Sequence, residues 1–75
     1  MAIDLGRFET WLQDTAIPLD RRISELLNRS GELTAIQMVT LGEMLLDERG
    51  VSDAKGNVLQ AAVDRARERA GLPPA

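Results

Sequence analysis

Apolar residues recur along the chain at helical spacing, in runs separated by Pro, Gly and Asn. The longest and best marked is Leu33 to Arg49, predicted as a helix over about 34–49. Thr34 and Gln37 have capping-box spacing: the Thr hydroxyl can accept from the Gln37 N–H, and the Gln side chain can reach back to the Thr34 N–H. Leu33 and Met38 stand at the two positions of a hydrophobic staple. Gly50 suits the left-handed residue after the helix, with Val51 folding back on Leu46. Met38, Val39, Leu41, Leu45 and Leu46 cover one side broadly, and Thr40, Glu43 and Asp47 share the other. Ile36 and Met44 fall on or beside the polar side, where a simple amphipathic helix carries no apolar residue.

The flanking runs are predicted to pack on this helix. A first helix is expected over about 4–16, capped by Asp4, with Ile3 and Phe8 at staple spacing. Leu5, Phe8, Leu12 and Ala16 make its inward stripe, and Trp11 lies to one side, where it can seal the core edge or meet a partner. Pro18 separates it from a second helix over about 19–29, with Leu19, Ile23, Leu26 and Leu27 inward. Arg21, Glu25 and Arg29 form an i, i+4 ladder outside, and Gly31 is expected to close the helix. The last run begins at 53 or 58. Ser52 can cap it, but Gly56-Asn57 disfavours a helix interior and predicts either a short turn of helix or a bend, with Asn57 able to cap a fresh start. Leu59, Ala62, Val63, Ala66 and Ala70 then face inward until Gly71 and Pro73-Pro74 stop the helix. The expected fold class is all-α, a small bundle of three to four short helices: one domain over 1–72 and a mobile tail over 73–75.

Composition narrows the chemistry. With 75 residues and only Trp11 and Phe8 as aromatics, the core must rest on aliphatic side chains, and self-association would add burial. There is no Cys and no His, so thiolate chemistry, imidazole bases and the usual zinc ligands are excluded. No basic-then-apolar leader and no bilayer-length apolar stretch is present, so a cytoplasmic protein is expected. A net charge of −3 argues against non-specific nucleic-acid binding. Arg dominates over the single Lys55, and with the Ala-rich C-terminal region this suggests a GC-rich bacterial or phage gene.

No constellation announces catalysis. Glu43/Asp47 and Asp64/Glu68 are carboxylate pairs one turn apart, with no third ligand in sequence, and read as solvated faces. Arg65, Arg67 and Arg69 sit where the helix dipole favours cations. The stretch Leu41 to Ser52 has the look of the first helix and turn of a helix-turn-helix unit. The segment that should enter a DNA groove is poor in basic residues for phosphate and interrupted by Gly56-Asn57.

Leu33-Thr34-Ala35-Ile36 with Val39, Leu41, Leu45 and Gly50-Val51 resembles the second-helix region of acyl and peptidyl carrier proteins, and Val58 to Val63 is similar to their final helix. The resemblance implies a carrier-like four-helix fold. Ala35 stands where those proteins carry the phosphopantetheine-bearing Ser, and Thr34 where they carry Asp, so the implied domain is a degenerate carrier without its prosthetic group. The reading that the residues themselves support is a non-enzymatic protein–protein interaction or assembly module with no cofactor, of adaptor or inhibitor type and self-associating. Its expected contact residues are Trp11, Ile36 and Met44, with Glu43, Asp47 and Glu48 steering a basic partner surface.

Overall fold

A computed structural model describes residues 4–73. It contains four helices and, among the described residues, no strand: α1 (Leu5–Leu12), α2 (Leu19–Arg29), α3 (Ala35–Leu46) and α4 (Asp53–Ala70), with a 3₁₀ turn at Ser30–Glu32. The expected all-α bundle is the observed one. The Ile3–Phe8 staple and the tail at 74–75 lie outside the described residues.

Helix starts follow local side-chain chemistry. Asp4 Oδ1 accepts from the Arg7 N–H at 3.2 Å. Thr34 Oγ1 accepts from the Gln37 N–H at 3.1 Å while Gln37 Oε1 accepts from the Thr34 N–H at 2.9 Å, completing the capping box. Ser52 Oγ accepts from the Lys55 N–H at 3.3 Å. Each bond satisfies a donor that the first turn leaves orphaned.

Helix ends differ from expectation at three places. α1 stops at Leu12, not Ala16. Asp14 Oδ1 accepts from the Ala16 N–H at 2.9 Å in an Asx turn, and Pro18 follows, so the chain leaves the helical path; Ala16 is exposed and Leu5 lies at the rim. After α2 the chain tightens into the 3₁₀ turn, and Gly31 has no positive φ. α3 ends at Leu46, and Gly50 (φ 93°) supplies the left-handed residue of the following turn, not the residue next to the helix. At α4 the earlier of the two expected starts, 53, is the observed one, and no bend follows it. The helix runs unbroken through Gly56 and Asn57. Its first turn is tied down by the Ser52 cap and by Lys55 Nζ, which donates to Ser24 Oγ of α2 at 2.7 Å. Gly56 has a packing reason, because a Cβ there would stand 3.0 Å from Val51 Cγ1. These tertiary ties outweigh a propensity penalty of about 1–2 kcal/mol for the pair. Gly71 (φ 73°) closes α4: its N–H donates to Glu68 O at 3.1 Å and that of Leu72 to Arg67 O at 2.9 Å, a Schellman closure.

The core is aliphatic. Leu12, Ile23, Leu26, Met38, Leu45, Leu59 and Val63 are its largest fully buried side chains, with Phe8 at its edge. α3 and α4 share the most extensive interface, and Gly42 is the reason they come so close. A Cβ built at Gly42 would fall on Val63 Cγ2, well inside the 3.0 Å that real carbons keep, and 3.7 Å from Leu59 Cδ1. α1 lies across α2 and α3 through Phe8 and Leu12.

Candidate interaction face

The outer stripe of α3 begins at Ile36 and continues through Thr40 to Asp47. Ile36 is 61% exposed, the most exposed of the large apolar side chains among the described residues. It occupies the first turn of α3, between Thr34 and Gln37, whose reciprocal capping-box bonds close that turn. Thr40 Oγ1 donates to Ile36 O at 3.0 Å, which spends the hydroxyl on the helix itself and leaves a weakly polar surface beside the isoleucine. Asp47 is exposed at the helix C-cap.

The other two expected apolar contact residues lie apart from Ile36. Met44 is half-buried against the core, and its sulfur accepts from Gln13 Nε2 at 3.2 Å. Trp11 is half-buried too, stacked on Phe8 with ring centroids 6.4 Å apart and planes 10° from parallel. Trp11 and Gln13 line one shallow depression along α1 with Gly6, Arg7, Thr10 and Asp14. Trp11, Gln13 and Met44 therefore form one edge where α1 meets α3. Ile36 lies two turns away along α3, about 12 Å of helix rise from Met44. Trp11 packs against the core edge and keeps part of its ring open.

The three acids are not equivalent. Glu43 is paired with Arg67 of α4. Glu48 is paired with Arg22 of α2. Asp47 alone of the three belongs to no ion pair among the described residues. Most of the acidic steering therefore rests on Asp47, with the part-exposed Glu43 and Glu48 already balanced by cations.

Arg22 is the functional-looking residue that the hydrophobic pattern passed over. It is only 3% exposed. Nε donates to Ile17 O at 2.9 Å, and Nη1 donates to Leu12 O at 2.9 Å and to the Glu48 carboxylate. A sequence signal existed: Arg22 stands three residues after Leu19 and four before Leu26, inside the apolar stripe. The ladder expected outside α2 is half formed. Arg29 Nε donates to Glu25 at 2.6 Å and also faces Glu32, whereas Arg21 joins no ion pair among the described residues. The hydrogen bond to Glu25 and that carboxylate's charge hold the Arg29 pKa above its ordinary, already high value. Its guanidinium stands 6.0 Å from the Phe8 ring centroid.

A second cleft lies between the 3₁₀ turn and α4, lined by Ser30, Met38, Ala62, Arg65, Glu68 and Arg69. Its two guanidiniums face one carboxylate, and the Ser30 hydroxyl is already donated to Leu27 O at 2.9 Å. The outward residues of α4 mix Asp53, Asp64 and Glu68 with Arg65 and Arg69, so no continuous basic track runs along it. Among the described residues no three acidic side chains converge as a metal-holding group, and no helix is long and apolar enough to cross a membrane. Comparison with protein-family models, curated proteins and solved structures finds no match.

Proposed function

We propose that this domain is a small, non-enzymatic, cytoplasmic interaction module that engages another protein through the outer stripe of α3. The carrying observation is the placement of Ile36: a large, largely exposed aliphatic side chain on the rigid first turn of a capped helix. A β-branched side chain on a capped helix turn has few rotamers to lose, so it costs little conformational entropy when it enters a partner's pocket. The half-open Met44 and Trp11 edge adds a second apolar contact where α1 meets α3, and Asp47 contributes a charge that belongs to no ion pair among the described residues. A partner with an apolar pocket flanked by a basic rim fits this surface.

The test is affinity purification from the native host with wild-type protein and with Ile36→Asp, followed by direct titration of each purified partner. Ile36→Asp touches no core contact, so its stability should stay within about 0.5 kcal/mol of wild type. The expected result is loss of the partner with the fold retained. Retention of every partner at unchanged affinity would reject this face. Met44→Asp is a poorer probe, because it presents a charge to the core and confounds binding with stability.

A further inference from the structure

Arg22 breaks a local rule. It is the fourth residue of α2, so its positive charge lies near the positive end of its own helix dipole, the unfavourable end. It is also nearly out of contact with water. What compensates lies on other elements. Leu12 O is one of the last carbonyls of α1, which has no basic residue of its own in its last turn. Arg22 supplies that missing cation from α2 and satisfies an orphan carbonyl. Its Nε holds Ile17 O in the connection between α1 and α2, and Glu48, just beyond α3, balances the charge. One guanidinium thus joins α1, its connection and the α3–α4 turn.

α1 is the element that depends on this junction. Its eight residues are too few for an isolated helix, which is marginal below about 12–15 residues. It holds the bundle chiefly through Phe8, Leu12 and part of Trp11. The connection that follows, 13–18, is exposed over most of its length and makes no helix.

We propose that the Arg22–Glu48 pair is a latch that keeps α1 on its own chain, and that breaking it turns α1 into an exchangeable arm taken up by a second copy. The released arm does not stay helical alone, and its departure uncovers the part of the apolar core that Phe8 and Leu12 cover, beside Arg22 and Arg29. The occupant that reproduces every contact of that surface is the α1 of another copy. Such exchange is a low-cost route to a dimer because it forms no new interface except at the hinge. This proposal is independent of the role assigned to Ile36.

The experiment compares wild type with Arg22→Met and Glu48→Gln by amide hydrogen exchange and by light scattering on a sizing column over a range of concentrations. Met fills the buried volume without the charge. Gln keeps the shape of a part-exposed side chain, so the fold survives in at least that variant. The expected result is that α1 amides exchange about tenfold faster or more, while α3 and α4 amides keep their protection and a dimer grows with concentration. α1 protection equal to wild type overturns the latch. A uniform loss across all four helices in Glu48→Gln overturns the idea that α1 opens separately. A loosened α1 on a protein that stays monomeric at every concentration overturns the exchange.

Discussion

Gly42→Ala tests the closest packing in the molecule. In an unhindered helix interior this change stabilises by about 0.8–1.0 kcal/mol, because Ala loses less conformational entropy than Gly. Here the new methyl would overlap Val63 Cγ2 severely, well inside the 3.0 Å that real carbons keep. Val63 is fully buried and, being β-branched in a helix, has one strongly preferred rotamer, so it cannot swing aside. Relief must come from separating α3 and α4, which also loosens Leu45 and Leu59. Overpacking of this kind costs about 1–3 kcal/mol, and so severe an overlap belongs at the upper end. The net expectation is destabilisation by about 1–2 kcal/mol, read as a lower urea midpoint, with a Tm fall of about 5–15 °C for a domain of this size. Val63→Ala alone should cost about 2 kcal/mol through the cavity it leaves. In the double variant the methyl added at position 42 takes up part of that cavity, so the combined loss should be smaller than the sum by at least about 1 kcal/mol. A Gly42→Ala protein more stable than wild type, or a strictly additive pair, would refute the close approach of α3 and α4 at this point.

Two further outcomes can be checked with the same purified protein. Thr34→Ala removes the acceptor for the Gln37 N–H and frees Gln37 from the box, and should cost about 1 kcal/mol in urea unfolding, whereas Thr34→Ser should be close to neutral. Once a partner is in hand, its association rate should fall only about two- to threefold between low and physiological salt, because Glu43 and Glu48 are internally paired and Asp47 alone is left to steer.

What could be read from the chain and what could not divide along a physical line. Asp4, Thr34 and Ser52 announced where helices begin, because an N-cap acts on backbone groups two or three residues away. The inward stripes of α2 and α4 were equally legible, since helical periodicity is a local property. Helix ends were not, because distant atoms take part in setting them. The last turn of α1 gives its Leu12 carbonyl to Arg22, ten residues on, and Glu48 leaves the path of α3 to reach the same guanidinium. Gly56-Asn57 misled for the same reason: the ties that hold α4 straight come from Ser24 and Val51. On the candidate face, the exposure of Ile36 follows from its position on the polar side of α3. The neutralisation of Glu43 by Arg67, 24 residues away, follows from nothing local.

Gly42 and Arg22 are alike in this respect. Each looks wrong for its place, a glycine and an arginine inside apolar stripes, and each is explained by a neighbouring helix. They act on different parts of the bundle. Gly42 draws α3 and α4 into one tightly packed hairpin. Arg22 adds to the packing of Phe8 and Leu12 one polar bond to α1, at Leu12 O, and one to the connection after it, at Ile17 O, which a single substitution removes. On the latch proposal the molecule has a stiff half, α3 and α4, and a half whose attachment is conditional, α1. Ile36 lies on the stiff half, where a binding side chain keeps its geometry whatever α1 does. Trp11 lies on the conditional half, and Met44 sits at the seam through its bond from Gln13. Loosening α1 should therefore disturb the Trp11–Met44 edge and leave Ile36 in place, which makes the two parts of the candidate face separable by substitutions at Arg22 and Ile36.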